Sequence, residues 1–341
     1  MSQEASAERD DRDFVRDTEP FRRELLAHCY RMLGSVHDAE DLVQETYLRA
    51  WRAYAGFEGR SSLRSWLYRI ATNACLTALQ HRGRRQLPSG LGDPGVEPEA
   101  AGSEIAWLQP IPDALVTPEA DDPAAVVASR EGLRLALIAS LQYLPARQRA
   151  VLILREVLAW PAAEVAELLG TTTAAVKSTL QRARARLEQV TPTADEVAEP
   201  TEPEARALLG QYIAAFENAD AAALSHLLRQ DATLELTPST TWFAGGDART
   251  HAVAGLGAPG DWRMVPTTAN GQPAAAAYQR GDDGGYRAYG IVVLTVTSTG
   301  IARIVVFGDP GLFDLFGLPQ THPDTAGQGA AAQGTAGQST A

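Results

Sequence analysis

The chain has 341 residues, enough for two or three domains, and a formal net charge of −12. Its two cysteines, Cys29 and Cys75, lie in apolar helical patterns and not in a CxxC or Cys/His cluster. We therefore expect reduced core thiols, no metal site and no cofactor. No apolar run approaches the ~18 residues that span a bilayer, and the N-terminus is charged where a signal peptide is apolar, so we expect no membrane association and a cytoplasmic location.

The first predicted domain is helical. From about residue 20 to residue 81, apolar side chains recur at three- and four-residue spacing. Six arginines and no acidic residue fall between Arg60 and Arg85, although the chain as a whole is acidic. Such a block suits a polyanion, because each neutralised phosphate releases condensed counterions. A solvated cationic face is the alternative.

One helix of this domain begins near Asp38 and carries an unusual polar face. Asp41, Gln44, Glu45 and Leu48 stand at i, i+3, i+4 and i+7 and therefore share that face. Two carboxylates, an amide and a leucine suit docking on a basic partner helix, since charge steers the encounter and the leucine adds apolar contact. As an alternative, Asp38 and Glu40 could simply be favourable negative charges near the start of the helix, where they interact with the helix dipole.

An acidic segment follows. Residues 86–129 contain eight acids, no Lys or Arg, and many Pro and Gly, which predicts a linker. Its interior, WLQPIPDALV at residues 107–116, is too apolar for a solvated tether. We expect that piece to dock on protein.

A second helical unit, residues 130–190, ends in a predicted helix-turn-helix. Pro161 suits the first position of one helix, Gly170 permits a tight turn, and residues 171–173 supply an N-cap for the next helix. On that next helix the buried side repeats Val176, Leu180, Ala183 and Leu187. The opposite side is left to face the DNA major groove.

The C-terminal part changes period. Two helices are predicted at 205–218 and 221–228, and after them alternating apolar residues predict strands joined by Gly, Asn and Asp turns. Helices followed by antiparallel strands indicate an α+β domain. Residues 321–341 lack large apolar groups, which predicts a disordered tail.

Four strings carry a family resemblance. DAEDLVQETYLRAW (38–51) and SSLRSWLYRIATNACL (61–76) resemble region 2 of bacterial sigma factors of the extracytoplasmic-function (ECF) group in the sigma-70 family. LPARQRAVLILRE (144–156) and EVAELLGTTTAAVKSTLQRARARL (164–187) resemble region 4. The C-terminal arrangement is similar to a SnoaL-like domain, a cone-shaped curved sheet closed by helices. The implied fold is multidomain, with two all-α sigma domains and an α+β cone.

The domains that we expect are therefore a disordered N-terminus (1–17), sigma region 2 (18–86), the acidic linker (87–128), sigma region 4 with the helix-turn-helix (129–190), a second linker (191–204), the SnoaL-like domain (205–320) and a disordered tail (321–341).

The resemblance implies a sigma factor that binds core RNA polymerase, recognises promoter −35 and −10 DNA and assists promoter melting, with the C-terminal domain modulating activity in cis. The clamp helices of the largest polymerase subunit would bind the strip Asp41, Gln44, Glu45 and Leu48. The −10 DNA would be held by Arg60, Ser61, Ser62, Arg64, Arg69, Asn73, Thr77, Arg82, Arg84 and Arg85. The −35 DNA would be read or held by Thr172, Thr173, Ala174, Lys177, Ser178, Gln181, Arg182, Arg184 and Arg186.

Two positions qualify this assignment. Many relatives place arginine where Thr179 stands, so one cationic −35 contact is missing. Of the neighbouring aromatics Trp66 and Tyr68, at least one must face the domain core at this spacing, and we expect Trp66 to do so.

Two other functions stay open. A stand-alone helix-turn-helix regulator would leave the DAEDLVQET string unexplained. A cyclase or isomerase fused to a DNA-binding module would place acid/base chemistry in the cone, where the candidates are His226, Glu235, Asp247, His251 and Asp309. These residues form no tight motif, so we expect no catalytic residues and no enzyme. A small-molecule ligand of the cone stays open.

Overall fold

The computed structural model describes residues 13–59, 61–81, 83–95, 97, 99, 102, 104–117, 131–190 and 200–322. The chain divides into two compact units. Unit 1 consists of Met1–Asp93, Ala100–Val197 and Thr268–Gln272, and unit 2 of Pro94–Glu99, Ala198–Thr267 and Pro273–Ala341. Within the described ranges no helix is both long and apolar enough to cross a membrane.

The predicted termini fall largely outside the described residues, which begin at residue 13 and end at residue 322. Where they are described, they are ordered. Phe14 is buried and packs edge-on against Tyr54, with ring centroids 5.1 Å apart. Thr321 and His322 form a short strand. The structure thus differs from the expected disorder at residues 13–17 and 321–322.

Residues 22–78 of unit 1 contain three α-helices, as predicted: α1 (Arg22–Leu33), α2 (Val36–Ala53) and α3 (Leu63–Ala78). Gly34 ends α1 in a left-handed conformation, φ 69°. Ser35 and Ser62 then cap α2 and α3, because their hydroxyl oxygens accept from the backbone N–H three residues later. Both cysteines are free and buried in this core.

The apolar stretch of the acidic segment docks on protein, as expected. It includes the short helix α4 (Asp113–Val116), which packs against α1. Leu108 and Ile111 are buried, and the Tyr30 hydroxyl donates to the Gln109 carbonyl at 2.7 Å. This part of the segment therefore belongs to the core of unit 1.

The second half of unit 1 comprises α5 (Leu135–Leu141), α6 (Ala146–Leu152), a π-turn (Ile153–Val157), α7 (Ala162–Leu168) and α8 (Thr173–Val190). Pro161 is the N-cap of α7, so the helix begins at Ala162, one residue after the predicted first position. Gly170 adopts φ +60°, and the Thr172 hydroxyl caps α8 by accepting from the Ala175 N–H. Val176, Leu180 and Ala183 are buried, which confirms the predicted inner side of α8.

Buried arginines join the two halves of unit 1. The Arg149 guanidinium donates to the Met32 carbonyl in α1 and to the Gln142 side chain after α5. Arg31 donates to the Gly132 carbonyl at 2.9 Å. Burial lowers the pKa of both guanidinium groups to about 10, so both stay charged near neutral pH.

Unit 2 is the predicted α+β domain. Its elements are α9 (Glu202–Glu217), α10 (Ala221–Leu227), β1 (Leu228–Thr237), β2 (Trp242–Ala244), α11 (Gly245–Ala254), β3 (Trp262–Ala269), β4 (Gln272–Arg280), β5 (Tyr286–Thr297), β6 (Gly300–Phe307), α12 (Leu312–Leu315) and β7 (Thr321–His322). Helix α9 begins three residues before the predicted start, because the Glu204 carboxylate accepts from the Thr201 N–H in a capping box.

The strands of unit 2 lie in the order β2-β1-β6-β5-β4-β3, and β7 pairs with β5. β1 runs parallel to β6, whereas β4, β5 and β6 are antiparallel neighbours. At Gly290 a Cβ atom would meet the Phe307 carbonyl oxygen at 2.2 Å, so the close approach of β5 and β6 requires glycine. Helices α9, α10 and α11 share a single apolar core with the sheet.

The core of unit 1 contains a histidine that predicts a pH effect. His28 is fully buried, its Nε2 lies 2.9 Å from the Thr72 hydroxyl, and desolvation lowers its pKa to about 3. The unfolded chain binds this proton below about pH 6.5 and the folded chain does not. Unfolding free energy should therefore fall by about 1.4 kcal/mol per pH unit as the pH drops from 6 to 4.

Denaturant unfolding of the wild type, His28→Gln and His37→Gln at pH 7, 6 and 5 measures this. His37 is exposed and serves as the matched control. We expect His28→Gln to flatten the pH dependence and His37→Gln to leave it unchanged. Equal pH slopes in all three proteins would contradict the assignment.

Candidate nucleic-acid interface

The polar face predicted on α2 is exposed. Asp41 and Gln44 are exposed, and the Leu48 residue is 56% exposed. Glu45 is half-buried and pairs with Arg49 one turn later at 2.6 Å. The face therefore presents the exposed carboxylate of Asp41, the carboxylate of Glu45 within an ion pair, and the exposed side chain of Leu48.

Sequence reasoning missed one member of this face. Trp51 is 47% exposed and stands seven residues after Gln44 and three after Leu48. These spacings place it on the same side of α2, and they were the signal that could have found it. An exposed tryptophan beside an exposed leucine is a surface that favours protein contact.

The −10 candidates differ in how accessible they are to DNA. Asn73 and Thr77 are exposed on α3, Ser61 is half-buried before it, and Ser62 is used as its N-cap. The candidates Arg60 and Arg82 lie outside the described residues.

Arg64 is held by protein. Its guanidinium forms hydrogen bonds to both carboxylate oxygens of Glu24, at 2.8–2.9 Å. The same group lies over the rings of Tyr68 and Trp160, 5.0 and 5.4 Å from the centroids. Burial opposes the charge of Arg64, but hydrogen bonds and charge attraction from Glu24 and Tyr68 together outweigh it and raise the pKa of Arg64.

Helix α3 therefore meets the helix-turn-helix half of unit 1. The rings of Tyr68 and Trp160 lie 5.0 Å apart, and Arg69 pairs with Glu167 on α7 at 2.9 Å. Tyr68 is fully buried, whereas Trp66 is half-buried and stacks on Phe57. The expectation that Trp66 faces the core was wrong, because the inner side of α3 runs through Tyr68.

The two arginines that follow α3 also have protein partners. Arg85 pairs with Asp38 at 2.6 Å and donates to the Trp107 carbonyl. Arg84 is exposed and stacks over the Tyr143 ring at 4.2 Å. Arg85 is therefore the less accessible of the two for a phosphate.

The −35 candidates lie along α8 and at its N-terminal end. The exposed residues of the set are Thr172, Thr173, Ala174, Lys177, Gln181, Arg182, Arg184 and Arg186, and Ser178 is half-buried. Thr179, which stands in place of the familiar arginine, accepts a hydrogen bond from Arg182 at 3.0 Å. Arg184 pairs with Glu156, and Arg186 donates to the Tyr143 carbonyl. Ala174, Lys177, Ser178 and Gln181 stand at i, i+3, i+4 and i+7 and therefore share one side of α8.

Two of the five catalytic candidates of unit 2, Asp247 and His251, stand one turn apart on α11. Glu235 is buried in an ion pair with Arg303, and Asp309 accepts from the Gly311 N–H in a turn. Of the five candidates only His251 lines the cavity of this unit. No cluster of potential metal ligands occurs among the residues that the structure describes.

These features define a class of protein. An arginine-bearing helical bundle with an acidic face, a helix-turn-helix and a SnoaL-like cone in one chain is the arrangement of a bacterial sigma factor. Residues 18–85 match the sigma-70 region 2 family, and residues 134–187 match sigma-70 region 4.

Whole-chain comparisons give the particular group. The chain is 52% identical over 316 residues to the ECF RNA polymerase sigma factor SigG of Mycobacterium tuberculosis, covering 91% of this chain and 85% of the relative. It is 32% identical to SigJ of the same species over 64% of this chain and 63% of SigJ. The crystal structure of SigJ matches with a TM-score of 0.58 and 28% identity, over 90% of this chain and 99% of SigJ. The chain therefore belongs to the ECF RNA polymerase sigma factor family and is a DNA-binding transcription initiation factor.

Proposed function

We propose that this sigma factor binds core RNA polymerase through the acidic face of α2, contacts −10 DNA through α3 and reads −35 DNA through α8. It acts in the cytoplasm and assists promoter melting, in which unstacked bases must be held by protein at a cost of a few kcal/mol per step. The observation that carries the proposal is the pairing, in one unit, of an exposed acidic and apolar face on α2 with an exposed reader side on α8.

The face on α2 has the composition of a docking site. Asp41 and Glu45 steer a basic partner, while Leu48 and Trp51 offer apolar area that a partner can bury. Charges at the rim of such an interface chiefly set the association rate, and a buried apolar anchor sets the dissociation rate. Both kinds of residue are therefore expected to contribute.

The variant Asp41→Arg with Leu48→Ala should bind purified core RNA polymerase at least about tenfold more weakly, because it reverses the steering charge and removes the anchor. Run-off transcription should fall in parallel, and circular dichroism should not change, since both side chains are exposed. Asp282→Arg, an equal charge reversal in an exposed turn of unit 2, is the control. Undiminished polymerase binding by the folded double variant would remove α2 from the interface.

We infer that the contact between α3 and the helix-turn-helix half opens before −10 DNA binds. Arg64 and Arg69, both expected along the DNA strand, are engaged with Glu24 and Glu167, and Trp160 packs on Tyr68. A DNA strand and α7 cannot occupy this side of α3 at the same time. Exposed ion pairs contribute only about 0–1 kcal/mol, so the contact is weak enough to be reversible.

Glu167→Gln should strengthen binding of single-stranded −10 DNA by up to about fivefold, because it frees Arg69 at a gain of at most about 1 kcal/mol. Glu164→Gln removes the same charge from the same helix at another exposed position and is the matched control. Fluorescence anisotropy at one fixed salt concentration measures both variants. Equal gains in the two would show that general charge, and not release of Arg69, is responsible.

For the −35 element, we propose that Lys177 and Gln181 contact base edges while Arg184 and Arg186 hold phosphates. Amide and ammonium groups at the centre of a reader helix can reach purine acceptors in the major groove. Phosphate contacts position the helix and carry no sequence information.

Modulation in cis by the C-terminal part is supported by Asn270. The segment Thr268–Gln272 belongs to unit 1, where Asn270 is 0% exposed. Its amide donates to the Tyr30 hydroxyl (2.8 Å) and the Leu133 carbonyl (2.7 Å), and its side-chain oxygen accepts from the Ile111 N–H (3.0 Å). One side chain thus ties α1, the acidic segment and the start of the second half together.

Asn270→Ala should lower the unfolding free energy by about 1–3 kcal/mol, because three buried groups lose a partner. Run-off transcription, measured at a temperature where the variant stays folded, should rise a few-fold, since the two halves of unit 1 would separate more easily. The exposed Asn218→Ala is the control. A loss of stability with unchanged transcription would argue against modulation through Asn270.

We further propose that unit 2 is not an enzyme. Acid/base catalysis needs positioned titratable groups at one place, but of the five candidates only His251 lines the cavity, and Glu235 is paired with Arg303. The domain would then serve regulation.

A further inference from the structure

Unit 2 contains a cavity of about 90 Å³ between the sheet and helices α9 and α11. Four aromatic side chains line it: Tyr212, Phe216, Trp262 and Tyr289. The remaining lining residues are small or aliphatic, apart from His251, and no Asp, Glu, Lys or Arg stands among the described residues of the wall. An ionised ligand would lose its hydration there without gaining a counter-charge, so the cavity selects an uncharged one.

The wall holds a polar group that lacks a partner. Tyr212 is only 1% exposed, and within the described part of the chain its hydroxyl makes no hydrogen bond. Burial raises the pKa of this hydroxyl, so it keeps its proton and is a donor. Buried tyrosine hydroxyls are normally satisfied. The hydroxyl oxygen is not among the fully buried unpartnered atoms of the described residues, so it keeps accessible surface, and an occupant of the cavity with an acceptor oxygen can bind it.

His251 supplies the complementary group. Its ring stacks on Phe243, with centroids 3.7 Å apart and planes 12° from parallel, and its Nδ1 lies 3.0 Å from the Asp247 carbonyl oxygen. Because a carbonyl oxygen can only accept, Nδ1 carries the proton, and Nε2 of the neutral ring is an acceptor. Together with the hydroxyl of Tyr289, these two groups are polar side-chain groups on a wall that is mostly apolar.

Size limits the occupant further. A cavity of roughly 150 Å³ lined by apolar side chains stays dry and binds benzene. The cavity of unit 2 is smaller, at about 90 Å³, which leaves room for a single ring at most. The rings of Trp262 and Tyr289, held edge to face at 5.1 Å, give it an aromatic wall.

We propose that this cavity binds a small uncharged molecule with one aromatic ring and one hydroxyl group, of which phenol is the simplest example. The ligand hydroxyl accepts from Tyr212 and donates to Nε2 of His251, so a single group satisfies both wall positions. The ring packs among Phe216, Trp262 and Tyr289.

Isothermal titration calorimetry of the full-length chain with phenol, cyclohexanol and benzoate tests the proposal. We expect saturable 1:1 binding of phenol with Kd at or below about 1 mM. Cyclohexanol should bind at least about tenfold more weakly because it lacks the ring contacts. Benzoate should show no binding because it is charged.

Variants locate the site. Tyr212→Phe removes only the donor and should weaken phenol binding about five- to tenfold. Tyr286→Phe is the matched control, because that buried hydroxyl donates to the Gly260 carbonyl and does not line the cavity. Ala252→Leu fills the cavity and should abolish binding. If that variant does not fold, the comparison of Tyr212→Phe with Tyr286→Phe decides the location.

Absence of saturable phenol binding, benzoate binding as tight as phenol, or equal affinities in the Tyr212→Phe and Tyr286→Phe variants would each overturn the proposal. If a water molecule occupies the cavity, satisfies Tyr212 and excludes phenol, no saturable phenol binding will be observed. The readout is binding alone, so its failure leaves the proposed sigma-factor function untouched.

Discussion

Hydrogen bonds from buried polar side chains to backbone carbonyls hold unit 1 together. Arg149 reaches the carbonyls of Met32, Gln142 and Leu144, and Arg31 reaches that of Gly132. A buried charge is costly unless it is well hydrogen-bonded, so these contacts define one arrangement of the two halves and penalise near alternatives. The buried side chain of Asn270 makes the same kind of contact with a neutral amide group. The rest of unit 1 depends on these directional bonds.

A second contact between the two halves of unit 1, made by α3, is weaker than these buried bonds. Between α3 and the helix-turn-helix half lie an exposed ion pair, a stacked arginine and one aromatic contact, each worth little on its own. The side chains that make this contact are those expected to meet DNA. The contact within the protein and the binding of DNA would compete for the same arginines. Such competition can regulate DNA binding, because both shift the equilibrium between the closed and the open arrangement of the two halves.

Unit 2 shows why fold alone does not decide function. A curved sheet closed by helices can hold acid/base groups in its cavity, but the charged residues of this chain are placed elsewhere. Glu235 is neutralised by Arg303, and the cavity wall holds a histidine and tyrosine hydroxyls without carboxylates. Activity belongs to the site and not to the scaffold. A hydroxyl without a partner in an apolar wall is a feature of binding.

Much of this protein was determined by the sequence by itself. Three- and four-residue spacing identified the helices and the inner side of α8, alternation identified the strands, and the i, i+3, i+4, i+7 pattern placed Asp41 and Leu48 on one exposed face of α2. These features depend on neighbours within a few residues, which is why local pattern suffices.

Only the tertiary structure decided what each face meets. Arg64 pairs with Glu24, 40 residues away, Arg69 with Glu167, 98 residues away, and the Asn270 amide reaches Tyr30 across 240 residues. The spacing of apolar residues reveals that one side of a helix is buried, but not which partner buries it. For that reason the sequence could not decide whether Tyr68 or Trp66 faces the core on α3. The unpartnered Tyr212 hydroxyl likewise has no signature in the chain, because a cavity is a property of several packed elements together.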